Sequence, residues 1–132
     1  MTKRQHRTVG QLAQQVRLRA EKYAAENDMP DNLCGMCAIA SGWLHTALRE
    51  AGLRATIHMN TSRPVHCYVT VRGYVVDVTA SQFGNDAVCI VPAREARKRF
   101  DYWRVAERRP RSAYELRMAQ QDAGWEQDQV AL

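Results

Sequence analysis

Long apolar runs are absent from this chain of 132 residues: nothing in it approaches the roughly 20 residues that a membrane-spanning helix needs. The basic start, Met1-Thr-Lys-Arg-Gln-His-Arg7, is not followed by the apolar core of a secretion signal, so a cytoplasmic location is expected. Cysteine is sparse as well. Four cysteines are few for a disulfide scaffold of this size, and in a reducing compartment they would be free thiols, metal ligands or catalytic groups. The sequence has no glycine-rich phosphate loop, zinc finger or RNA-binding aromatic signature. It also has no repeat, low-complexity tract or domain linker, which leaves one domain over residues 1–132.

What is present suits a soluble globular domain: 45% hydrophobic and 25% charged residues. The net charge of +5 is unevenly spread. Arg94 to Arg111 holds eight basic and three acidic residues, a local net of +5, whereas residues 113–132 hold one basic and four acidic, a net of −3. The basic segment within 92–132 is either a solvated face or a surface for an acidic partner, with nucleic acid the weaker alternative.

The pattern of elements runs from helices to strands. Thr8 is read as the cap of a first helix reaching about Asn27, with His6 left in a tail. Asn27 to Asn32 is a loop by composition. A second helix starts near Cys37 and ends at Gly52, with Ile39, Ala40, Trp43, Leu44, Ala47 and Leu48 as its buried stripe. Strands are expected at Ala55–Met59, Val65–Val71, Tyr74–Val78 and Cys89–Val91. A short helix or turn over Ala93–Phe100, an edge strand over Asp101–Ala106 and a last helix over Ala113–Asp122 complete the chain. Helices followed by an antiparallel sheet make an α+β domain, with a catalytic-type core at about 30–91.

Cys37, His66 and Asp77 are the residues that carry chemistry. A cysteine attacks only as thiolate, and a helix N-terminus favours that form. A histidine can take the thiol proton, and a carboxylate can fix the tautomer of the histidine. Arg72-Gly73 reads as a two-residue hairpin turn. That turn sets Tyr68 opposite Asp77 and puts His66 and Asp77 on one face as diagonal neighbours, about 7 Å apart in backbone. A one-residue slip would separate them. The expected geometry is a Cys37 sulfur within roughly 4 Å of one His66 nitrogen, Asp77 about 2.6–3.2 Å from the other, and a partly accessible thiol. Gln82 is a candidate oxyanion donor or strand cap, and Met36, just before the helix, is a candidate for shaping the site. Asp86 is the alternative orienter, although Gly84-Asn-Asp86 reads as a turn.

Three segments together resemble the transglutaminase-like branch of the papain-like cysteine superfamily, and small bacterial and phage proteins of that type. They are Cys37-Ala-Ile-Ala-Ser41, His66-Cys-Tyr-Val-Thr-Val71 and Val76-Asp-Val-Thr-Ala-Ser-Gln-Phe83. The resemblance covers roughly residues 30–84. It implies helices packed on a small antiparallel sheet, with Cys37 as nucleophile, His66 as general base and Asp77 as orienter. It also implies hydrolysis of peptide or isopeptide bonds, or acyl transfer to amines, on a protein, peptide or small acyl substrate, with no metal and no organic cofactor.

Other readings compete with this one. A non-catalytic binding or inhibitory module could keep the fold and use the basic surface. Cys34-Gly-Met-Cys37 is a CxxC that a thiol enzyme does not require. With two of His58, His66, Cys67 and Cys89 it would make a zinc site, although no second paired motif exists. A thioredoxin-like centre would need a buried strand before the CxxC, and the preceding segment is polar loop. Cys34 could instead form a reversible disulfide with Cys37 and silence it. His45, Cys67 and Cys89 are expected to be core or core-edge residues.

Overall fold

The structure, a computed structural model, describes residues 1–60, 66–103, 109, 110 and 116. Helix α1 spans Lys3–Glu26, α2 Cys37–Glu50 and α3 Ala93–Arg99; strands are β1 Ala55–Asn60, β2 His66–Val71, β3 Tyr74–Asp77 and β4 Cys89–Pro92. Helix α1 begins earlier than expected. Thr2, not Thr8, caps it, in a capping box with Gln5, while the Thr8 hydroxyl donates back to the Arg4 carbonyl. His6 therefore lies on a helix, edge-on to Tyr74, and not in a tail. Val9, Ala13, Val16, Ala20 and Ala24 form the buried stripe at helical spacing.

All four strands are antiparallel and lie in chain order, β1-β2-β3-β4. The β2–β3 turn has the expected two residues, Arg72 (φ 50°) and Gly73 (φ 80°), both left-handed as a twist-matched hairpin requires. The register that follows pairs Val71 with Tyr74 and Val69 with Val76. Side chains alternate across the sheet. Ile57, Met59, Cys67, Val69 and Val76 meet α1 and α2 in the larger core. Tyr68, Val75, Cys89 and Val91 face the other way, into a smaller core closed by Ala96 of α3 and by Tyr102 and Trp103. Residues 101–103 form a 3-10 turn, not the expected edge strand. Residues 104–106 and the expected helix over Ala113–Asp122, apart from Leu116, lie outside the described residues, as does the acidic stretch beyond it. Leu116 is buried in the larger core. Among the described residues no helix is long and apolar enough to cross a membrane.

Candidate active site

Cys37 is the first residue of α2, with Met36 in the capping position and wholly buried. The helix runs over the Cys67 face of the sheet, and its start reaches the beginning of β2. There His66 and Cys67 leave on opposite faces, and Cys37 hydrogen-bonds with both side chains.

His66 and Asp77 share a sheet face, and their side chains meet: His66 Nε2 lies 2.5 Å from Asp77 Oδ2. Asp77 is itself fixed. Its Oδ1 accepts from the Thr79 backbone N–H at 2.9 Å, and its Oδ2 accepts from the Trp103 indole N–H at 2.9 Å. These bonds satisfy a carboxylate that is only 1% exposed. Burial penalises its charge, but His66, Trp103 and Thr79 together hold its pKa below the ordinary carboxylate value. For His66, burial works against the imidazolium. The charge and hydrogen bond of Asp77, then those of Cys37, outweigh that burial and push the pKa up to about 10. The ring is boxed by Phe83 and Tyr102, edge-on at 5.0 and 5.2 Å between centroids.

Gln82 lies on a 3-10 turn, Ala80–Phe83, and brings its amide 3.2 Å from His66 Nδ1. The arrangement joins a thiol, an imidazole, a carboxylate and an amide. One expectation fails: Cys37 and His66 are both 0% exposed, so the thiol is not partly accessible but covered.

No disulfide joins the four cysteines, Cys34, Cys37, Cys67 and Cys89. Cys34 is half-buried at the loop before α2, and burial, then the nearby Cys37, raises its pKa. Burial pushes Cys67 well above the ordinary thiol value and Cys89 up to about 11. Among the described residues no group of three or more His, Cys, Asp or Glu side chains stands where it could hold a metal ion. His58 bonds the Thr70 hydroxyl at 2.7 Å, and Cys89 donates to the Asp86 carbonyl. Asp86 itself is exposed in its turn, so it does not take the place of Asp77. His45 is buried, and burial, then Arg49, lowers its pKa. On the surface, Arg94, Arg97, Lys98 and Arg99 of α3 are all exposed.

Two supporting residues were not anticipated. Trp103 was hidden in a presumed edge strand. Arg17, buried on α1, donates through Nη1 to the Val78 carbonyl at 2.9 Å and the Ser81 hydroxyl at 2.7 Å, and pairs with Glu21 at 2.8 Å. Ser81 in turn donates to the Asn32 carbonyl at 2.9 Å, tying the segment after Asp77 to the loop that leads into Cys37. An arginine inside an apolar helix stripe was the available signal, because an unpaired guanidinium is almost never buried there.

Compared with protein-family models, with curated proteins and with solved structures, the chain matches none. Its α+β fold and its site therefore rest on the geometry above.

Proposed function

We propose that this chain is a thiol enzyme with a papain-like, transglutaminase-like core that cleaves or transfers an acyl group through Cys37, His66 and Asp77. One observation carries the reading: His66 is hydrogen-bonded to Cys37 while a carboxylate, itself clamped by Trp103 and Thr79, holds its Nε2. That order of groups makes a thiolate–imidazolium pair, the form in which cysteine attacks a carbonyl carbon. Sulfur bonds to the acyl carbon, the carbonyl electron pair moves to oxygen, and collapse expels the leaving amine with a proton from His66. Water or an acceptor amine then takes the acyl group from sulfur, with His66 as base.

The test is alkylation by iodoacetamide in the native protein, followed site by site by mass spectrometry. Cys37 is expected to label faster than Cys89, and His66→Ala to slow Cys37 by about 10²-fold or more. Equal rates at Cys37 and Cys89 would remove the activated thiolate.

The complete burial of Cys37 favours a second reading, a binding or inhibitory module that keeps this fold without turnover. The exposed basic residues of α3 would then meet an acidic protein surface. On that reading Cys37 labels only after denaturation, and partner binding weakens as salt is raised.

A further inference from the structure

The sheet carries different chemistry at its two ends. Cys37, His66 and Asp77 stand at one end. At the other, about 17 Å away along β2 at roughly 3.3 Å per residue, four segments of the chain converge. The Arg72–Gly73 turn joins β2 to β3 there. Strand β1 begins beside it, because Ala55 pairs with Val71. Strand β4 ends beside it, with Pro92 opposite Tyr74, and Ala93, the first residue of α3, donates its N–H to the Gly73 carbonyl at 2.8 Å. His6 ties the start of α1 to the same place, its ring edge-on to Tyr74 with centroids 5.6 Å apart.

These segments bring six exposed cations to one end of the molecule: Lys3, Arg4, Arg7, Arg54, Arg72 and Arg94. Two exposed acids, Glu50 and Glu95, share that end. Among the described residues the ion pairs are Arg17–Glu21, Lys22–Glu26 and His66–Asp77, so none of the six cations is neutralised by them. Only Arg94 belongs to the basic block visible in the sequence; folding adds the other five. Their placement also runs against helix stability. The first turn of α1 has no acid and holds Lys3 and Arg4, at the end where the helix dipole disfavours cations. The acids Glu21, Glu26, Asp28 and Asp31 lie near the far end of α1 and in the loop after it. Local rules broken on a surface mark a functional face.

We propose that this end of the molecule is a docking face for the phosphate backbone of nucleic acid. The face stands apart from the thiol site and does not rest on the thiol-enzyme reading. Five of its six cations are arginines, whose planar guanidinium takes a phosphate through two parallel N–H bonds. Phosphate contacts of this kind supply essentially all of sequence-independent nucleic-acid binding. An acidic protein fits this end less well, because a protein interface is built around an apolar core. Among the described residues the exposed large hydrophobic is Leu18, which lies on α1 eleven residues past Arg7.

The test is the fluorescence anisotropy of a short fluorescein-labelled DNA duplex of arbitrary sequence, titrated with the full chain. Six contacts, one per cation, predict that affinity falls by about 10³-fold between about 50 and about 200 mM salt. In the triple variant Lys3→Glu, Arg4→Glu and Arg72→Asn, binding at low salt should weaken by at least about 10²-fold and the salt slope should flatten by about three. That variant should melt no lower than the wild type. Glutamates suit the first turn of a helix, and Asn-Gly suits a turn whose two residues are both left-handed. Cys37→Ala should bind the duplex as the wild type does. Absence of binding at low salt would overturn the proposal, as would binding that the triple variant retains. Polyglutamate that displaces the duplex as well as unlabelled duplex does, charge for charge, would also overturn it and assign the face to an acidic protein.

Discussion

At the scale of single residues, the site is held by buried hydrogen bonds that each have a definite cost of removal. Trp103→Phe keeps an aromatic ring, though a smaller one, and deletes the N–H that reaches Asp77 Oδ2. A hydrogen bond to a charged group contributes about 1.5–3 kcal/mol. The variant should lose stability in that range by urea unfolding and should lower the pKa of His66, because its orienter is less firmly held. Asp77→Asn removes the charge that most strongly raises His66, so Cys37 alkylation at neutral pH should drop by about 10²-fold or more. Cys37, His66 and Asp77 were legible in the sequence because each depends on local rules. Cys37 opens an apolar run at helical spacing, and a two-residue turn fixes the parity that puts His66 and Asp77 on one face. Trp103 was not legible. Its bond to Asp77 spans 26 residues, and no local pattern encodes such a contact. The covered state of Cys37 was missed for the same reason, since exposure of a helix start depends on what packs over it.

At the scale of elements, the turn and the buried arginine decide whether the site assembles. Gly73 sits at φ 80° with open space around a would-be Cβ, so the cost of Gly73→Ala is one of backbone alone. About 1–2 kcal/mol of destabilisation is expected from a left-handed non-glycine residue, with the register and the labelling of Cys37 preserved. Arg17→Met should be costlier. It strips a donor from the buried Val78 carbonyl, leaving that acceptor unpaired at about 1–3 kcal/mol, and another from the half-buried Ser81 hydroxyl. Because Ser81 also holds Asn32, this variant should loosen the loop before Cys37 and slow its alkylation, which a purely global loss of stability would not do in native buffer. The start of α1 teaches a related lesson. Thr2-Lys-Arg-Gln5 is a capping-box signature, yet the surrounding charge made it read as tail, and Thr8 took the cap. The extent of α2, the strand order and the short α3 followed from apolar period and turn residues, whereas the 3-10 turn at Asp101–Trp103 did not. Its alternating residues match a strand, and packing of Tyr102 and Trp103 into the smaller core overrides that pattern.

At the scale of the whole molecule, the site ties stability to pH. The pKa of His66 is raised from 6.5 to about 10, so its contribution is complete below pH 6.5 and is lost as pH climbs towards 10. Asp77 is lowered from 3.8, so its contribution is present above 3.8 and is lost as pH falls through its lowered folded value. Burial lowers His58 from 6.5 to about 4, so its share of stability is present above 6.5 and wanes towards 4. Between pH 6.5 and 9.0, below the point where the raised thiols Cys67 and Cys89 enter, the decline due to His66 is isolated in Cys37→Ala, because in the wild type the imidazolium takes its proton from Cys37 and the two offset. Urea midpoints measured across that window should fall with rising pH in Cys37→Ala and stay level when His66→Gln is added to it.

The central claim is that Cys37 and Asp77 together hold His66 as an imidazolium. The most direct measurement is an NMR titration of the His66 ring. The account predicts a ring still protonated at neutral pH, titrating well above 6.5 and towards about 10, and shifting down in Cys37→Ala and further in Asp77→Asn. A ring that titrates at or below 6.5 and ignores both substitutions would contradict it.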